Sequence, residues 1–221
     1  MQDLTIPVIT IDGGVATGKG TVAKLLALHY KYHKLDSGVL YRALGVVCHR
    51  KNIHNLSEQV HAANTLNLRI DSTDKVFLDE VDETEIIRTQ GSELAASIAQ
   101  IPEIRMALRN RQVSMRKPPG LIAEGRDQGF IFETPYRYFF TVDPQIAADR
   151  RVKQHREAGR DLRYEDVYKS IVERDKEDTH RTCDPLRCHP GAHVIDTTRL
   201  SAVDVMLRII NHVHAKKIQL L

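Results

Sequence analysis

The sequence predicts an α/β fold: a parallel sheet with helices on both faces and a small inserted subdomain. Three observations carry this. Short apolar runs rich in β-branched residues alternate with helix-length segments along the 221 residues. A glycine-rich turn stands where the first such run meets the first helix. Around residues 67–79 the apolar period shortens to two, which marks a hairpin inside an otherwise alternating chain.

Residues 4–11 (Leu-Thr-Ile-Pro-Val-Ile-Thr-Ile) read as a buried strand, and Pro7 keeps its first half out of central pairing. A helix is expected from about Lys19 to Tyr30, followed by a short strand, His33-Lys34-Leu35. Asp36 or Ser37 can cap a helix running from about Val39 to Lys51, and Ser57-Glu58 opens another that reaches about Thr65. In the hairpin, Leu68 and Ile70 alternate with polar residues, Ser72-Thr73-Asp74 turns, and Val76-Phe77-Leu78 returns. Helices are expected at about 89–99 and 103–116, and Pro118-Pro119-Gly120 then breaks the chain. Leu121-Ile122-Ala123 and residues 138–142 read as strands, 144–157 and 164–179 as helices, 193–196 as a strand and 203–215 as a last helix.

Composition bounds the function classes. Hydrophobic residues make up 42% and charged residues 28%, the balance of a globular chain long enough to bury a core without staples. No run of about 18 apolar residues occurs, and the first residues lack the pattern of a secretory signal, so neither membrane nor export is expected. The net charge of +3 comes without a basic block, so no nucleic-acid partner is expected. Three cysteines, Cys48, Cys183 and Cys188, do not make a disulfide scaffold; a cytoplasmic setting is the simplest.

The most specific local signal is Gly13-Gly14-Val15-Ala16-Thr17-Gly18-Lys19-Gly20-Thr21. It fits G-x-x-x-x-G-K between a strand and a helix, the context a phosphate-binding loop requires. Glycines let backbone N–H groups turn onto phosphate oxygens, the helix start adds partial positive charge, and Lys19 adds a full one. The fold is therefore of the P-loop NTPase type. Gly20 stands where the motif proper has Ser or Thr, and the G-K-G-T form is similar to that of the nucleoside monophosphate kinases. A regulatory GTPase would carry N-K-x-D and D-x-x-G, and neither is present.

Three further clusters follow strands or close helices. In Asp36-Ser37-Gly38-Val39-Leu40-Tyr41-Arg42, Ser37 and Arg42 can both face a phosphate, although a capped helix start reads equally well from these residues alone. In Glu124-Gly125-Arg126-Asp127-Gln128-Gly129, Glu124 ends a strand, where an acidic residue can hold a Mg²⁺ water, with Thr21 as the other metal candidate. Arg174, Asp178 and Arg181 are spaced i, i+4 and i+7, which is one helical face and, taken alone, an ordinary ion-pair face.

In this order, G-K-G-T, D-S-G-x-x-Y-R, E-G-R-D and R-D-x-x-D-x-x-R resemble the bacterial cytidylate kinase family. Arg88-Thr89, Ala96-Ser97, Ile104-Arg105, Asp184-Pro185-Leu186 and residues 195–201 extend the likeness to nearly the whole chain. The resemblance implies one domain over 1–221, with a core of about 1–63 and 90–221, an NMP-binding insert of about 64–89 and a lid of about 151–185. It implies transfer of the γ-phosphate of ATP to CMP or dCMP with Mg²⁺ as cofactor; a P-loop kinase for another small acceptor such as UMP is the alternative. Gly13 to Thr21 would bind ATP. Ser37, Arg42, Arg126 and Arg174 would grip the acceptor phosphate, alongside Asp36, Gly38 and Gly125. Ser97, Arg105, Asp127 and Arg181 would read cytosine, and Asp178, with Arg174 or Tyr41, would touch the ribose. Lys19, Arg126, Arg174 and Arg151 would supply the catalytic charge. Arg151, placed after the 144–157 helix, would belong to the lid. Small nucleotides are the implied partners, and a monomer is expected.

The chain departs from the family pattern in two places. Gly14, Val15 and Ala16 replace the Pro-Ser-Gly part of its loop, and Val15 and Ala16 are ill suited to positive φ. Gln128 replaces a methionine of the R-D-M-G segment and reads as a local packing change. The spacing H-x₂-C-x₄-C-H formed by His180, Cys183, Cys188 and His189 is not a usual zinc pattern and reads as a loop.

Overall fold

The structure is a computed structural model that describes residues 2–71 and 73–219; Ser72, in the predicted hairpin turn, lies outside the described residues. In chain order the elements are β1 (Val8–Gly13), α1 (Lys19–Tyr30), β2 (His33–Asp36), α2 (Ser37–Arg50), α3 (Leu56–Thr65), β3 (Leu68–Ile70), β4 (Val76–Leu78), β5 (Val81–Asp82) and α4 (Thr84–Thr89). They continue with α5 (Gly91–Ile98), α6 (Pro102–Ser114), β6 (Leu121–Gly125), α7 (Gln128–Ile131), β7 (Tyr136–Thr141), α8 (Pro144–Glu157), α9 (Tyr164–His180), β8 (His193–Asp196) and α10 (Ala202–Gln219). The chain forms two compact units, residues 1–34 with 117–221, and residues 35–116.

The first unit is built on a five-stranded sheet in the order β2-β6-β1-β7-β8. β1 pairs in parallel with β6 and with β7, and β7 in parallel with β8. Parallel pairing is what the strand–helix alternation required. β1 is buried at all six positions, as a strand covered on both faces must be. Ile9, Ile11, Ile122, Tyr138, Phe140 and Ile195 of the sheet form one apolar core with Val22 and Leu26 of α1 and Val205, Ile209 and Val213 of α10. A second cluster joins α8 and α9 through Ala147, Ala148, Val152, Val167 and Ile171.

The second unit contains α2 to α6 and a three-stranded antiparallel sheet, β3-β4-β5. Its hairpin register pairs Leu68 with Leu78 and Ile70 with Val76. Asp36 caps α2 by accepting from the Val39 N–H at 3.2 Å, and Asn55 caps α3 by accepting from the Glu58 N–H at 2.8 Å.

Several expectations are corrected. β1 begins at Val8, because Pro7 has no N–H to give; its carbonyl accepts from the Leu121 N–H instead. The helix expected over 89–99 is α5, and a further short helix, α4, that was not expected precedes it, the two separated at Gln90. Arg151 lies within α8 rather than after it, because the helix runs unbroken to Glu157.

Candidate functional site

The carboxyl ends of β1 and β6 carry the predicted loops of the first unit. Past Gly13 the backbone turns through Ala16 at φ 53° and Gly18 at φ 88° into α1. Gly18 meets the left-handed requirement without cost; Ala16 does not, and its Cβ crowds the backbone there. Val15 and Ala16 pack against the α8–α9 cluster together with Tyr164 and Tyr168, an apolar seat that offsets the strain. Thr17 Oγ1 donates to the Gly14 carbonyl at 3.1 Å. Lys19 Nζ donates to the same carbonyl at 2.5 Å and to Thr17 Oγ1 at 3.1 Å, so its charge lies across the mouth of the turn.

Lys19 is nearly buried, and its pKa is lowered to about 7, first by burial and then by the Arg126 guanidinium; Glu124, Asp12 and Asp175 pull the other way. Asp12, at the end of β1, is also buried and is raised to about 7, chiefly by burial. Its two oxygens accept from the Gln128 N–H at 2.8 Å and the Gly129 N–H at 2.7 Å. That clasp fixes the loop bearing Arg126 and Asp127 against the strand that leads into the phosphate loop. No local pattern announces it, because the partners are more than 100 residues apart.

Glu124 is buried beside the first turn of α1: a Cβ on residue 20 would stand 3.3 Å from its Oε1. This explains why glycine follows the lysine here. Lys34 Nζ lies 4.0 Å from the same oxygen. A single buried carboxylate next to the phosphate loop is the kind of protein donor Mg²⁺ takes when phosphates and water supply the rest. Thr21 is exposed on α1.

Arg126 is the junction of the site. Its NH1 donates to the Gly13 carbonyl at 2.6 Å and its Nε to Asp178 Oδ2 at 2.7 Å. Asp178, on α9, also faces Arg174 and Arg181, each at 3.5 Å, as their helical spacing predicted. Burial pushes this carboxyl up, but Arg126, Arg174 and Arg181 together hold it below the ordinary range. Arg181 also donates through Nε and NH2 to the Asp184 carbonyl. Asp127 is buried and accepts from Gln128 Nε2 at 3.1 Å, so Gln128 does more than fill space. Gln128 Oε1 is buried without a partner among the described residues. Arg151 is exposed on α8, and its NH1 reaches Gln154 at 3.4 Å.

The second unit brings another group together. Arg42 NH2 pairs with Asp36 Oδ2 at 3.1 Å, while its Nε is buried without a partner among the described residues. Ser37 is buried at the start of α2, next to Gly38. The Arg105 guanidinium lies 5.3 Å from the centre of the Tyr41 ring, and its NH1 donates to the Ala99 carbonyl at 3.1 Å. Ser97 is exposed on α5.

Sequence reasoning missed a cavity of about 670 Å³ beyond the ends of β7 and β8, lined by residues including Thr141, Asp143, Thr198, Arg199 and Arg208. Thr197 ties this edge to the phosphate loop by donating to the Thr17 carbonyl at 3.1 Å. The general place of ligands in open parallel sheets was the signal available for it. At the histidine–cysteine segment, the His189 ring packs on Phe130 at 4.8 Å and Cys183 contacts Asp184. Among the described residues no group of three or more His, Cys, Asp or Glu is placed to hold a metal.

The cytidylate kinase family model matches residues 9–215. The chain belongs to the cytidylate kinase family. It is 41% identical to the cytidylate kinase of Acinetobacter baylyi, over 95% of this chain and 97% of the relative. It is 38% identical to that of Methylococcus capsulatus, over 93% and 96%. A solved structure of an uncharacterized protein from Eubacterium ventriosum is similar in fold, with a TM-score of 0.57 at 12% identity, over 95% of this chain and 98% of that one. Family membership gives the motif series read from the sequence a common origin, and it makes ATP the expected phosphate donor.

Proposed function

We propose that this chain transfers the γ-phosphate of ATP to CMP or dCMP, giving ADP and CDP or dCDP by in-line transfer assisted by Mg²⁺. The observation that carries this is Arg126, which reaches from the Gly13 carbonyl to Asp178 and so stands between the phosphate loop and the arginines of α9. Kinases and hydrolases that bind a nucleotide on such a loop differ in what faces it. Here a cluster of guanidinium groups does, as the transfer of a phosphoryl group between two anions demands.

Gly13 to Thr21 bind the donor phosphates, and the cavity past β7 and β8 takes the donor base. Ser37 and Arg42 bind the acceptor phosphate, as do Arg126 and Arg174, with Asp36, Gly38 and Gly125 shaping the backbone around them. Ser97, Arg105, Asp127 and Arg181 read the base, and Asp178, with Arg174 or Tyr41, reaches the ribose. A carboxylate accepts from the N4 amino group of cytosine and arginine donates to N3 and O2, whereas uracil reverses the pattern at N3 and position 4. A site so built leaves buried groups unpaired with UMP and so discriminates against it.

The acceptor phosphate is already anionic, so no general base is assigned. Lys19, Arg126, Arg174 and Arg151 supply positive charge to the moving phosphoryl. Glu124, with Thr21, holds Mg²⁺, which when bound neutralises the donor phosphates. Residues 151–185 act as a lid that excludes water, since hydrolysis of ATP is the competing reaction. The chain works as a cytoplasmic monomer on small nucleotides, without nucleic-acid or membrane partners; among the described residues no helix is long and apolar enough to cross a membrane.

Arg126→Ala tests the reading. Turnover at saturating CMP is expected to fall by about 100-fold or more, with ADP affinity changed only a few-fold. Wild-type turnover in that variant would remove Arg126 from the reaction.

A further inference from the structure

The phosphate loop is not free of anions in this structure. Asp175, on α9, aims its carboxylate at it: Oδ1 accepts from the Val15 N–H at 2.8 Å. The approach is so close that a Cβ on Gly14 would stand 2.6 Å from Oδ2. A loop N–H of the kind that serves phosphate oxygens is therefore held by a side chain from 160 residues away. The contact has a second support. Val15 and Ala16, the residues that depart from the family pattern, pack against a cluster that includes Val167 and Ile171 of the same helix. The loop is seated on α9 by apolar contact and by this carboxylate together.

We propose that Asp175 is an internal competitor of the donor phosphates and sets the affinity of the loop for a nucleoside di- or triphosphate. The physical reason is charge. A carboxylate on the loop neutralises part of its positive field, and a polyphosphate arriving there must either displace it or bind beside it. Both routes weaken anion binding, the first by breaking the Val15 hydrogen bond and the second by like-charge repulsion. Asp175 also contributes to the field at Lys19, the other positive feature of the loop. When the carboxylate leaves Val15, it releases a helix whose next turn carries Asp178 and the arginines around it. Donor occupancy is thereby linked to the disposition of α9.

This inference rests on the donor reading given above, and one set of titrations separates the two. ADP and inorganic pyrophosphate are titrated calorimetrically into the full chain, as wild type, Asp175→Asn and Gly14→Ala. Asparagine keeps the shape and can still accept from the Val15 N–H, so only the charge is lost. The expected result is ADP bound about tenfold more tightly by Asp175→Asn at low salt, with the gain shrinking several-fold at about 0.5 M salt. Pyrophosphate follows in the same direction, and adenosine is unaffected. Gly14→Ala, whose Cβ pushes the carboxylate away, also binds ADP more tightly but adds nothing in the Asp175→Asn background. If Asp175→Asn is too unstable to titrate, Asp175→Ser, which also removes the charge, decides in its place. A merely structural Asp175 would lower the melting temperature without strengthening anion binding. Equal or weaker binding of ADP by the folded Asp175 variant overturns the inference. Failure of the wild type to bind ADP at all would instead remove the donor reading, and this inference with it.

Discussion

Ala16 shows how a single residue departs from a motif without losing the motif's shape. A residue with a Cβ was expected to resist positive φ, yet Ala16 takes φ 53° and is held there by packing against α8 and α9. Gln128 is the second departure. Its amide donates to Asp127, the carboxylate proposed to read the base, and joins it to the loop clasped by Asp12. Two substitutions test this at the same scale. Asp127→Asn is expected to narrow the CMP-over-UMP ratio of kcat/KM by at least tenfold, because an amide can present a donor or an acceptor. Gln128→Met removes only the supporting hydrogen bond and is expected to narrow it by about threefold. An unchanged ratio in Asp127→Asn would take that residue out of base reading.

At the scale of elements, long periodic segments were legible and short ones were not. α8 matches the predicted 144–157, and β3 and β4 follow the predicted alternation. α7, with four residues, and β5, with two, are too short to show a period. The break between α4 and α5 falls at Gln90, which carries no breaker signal. The far edge of the sheet bears a feature that sequence could not show. His212 of α10 stacks on His193 of β8 at 4.8 Å and shares a 2.9 Å hydrogen bond with the Tyr138 hydroxyl. Burial first, then Lys216 and His193, lower the His212 pKa below its ordinary 6.5. A base with a lowered folded pKa contributes stability above its unfolded value and loses it as pH falls through the folded one. Between pH 8 and 5 the wild type is therefore expected to lose about 3 °C more in melting temperature than His212→Gln. Parallel curves would show that His212 does not titrate as described.

At the scale of the whole molecule, the sequence carried the motifs while the structure carried what supports them. Lys19 could be named from its glycine loop, and Arg174, Asp178 and Arg181 as one helical face, since these are local patterns; Arg126 came with the family resemblance. Asp12, Asp175 and the cavity beyond β7 and β8 could not, because each acts through contacts between segments far apart in the chain. The pattern is physical: what touches the ligand tends to lie in short motifs, and what positions those motifs depends on the tertiary fold. The most direct test of the account is a coupled assay for ADP formation with ATP, Mg²⁺ and a panel of CMP, dCMP, UMP, AMP and GMP. The account predicts rapid, saturable ADP formation with CMP or dCMP, and at least 100-fold lower kcat/KM with the other three. Turnover of UMP, AMP or GMP at a comparable rate, or of no acceptor at all, would contradict it.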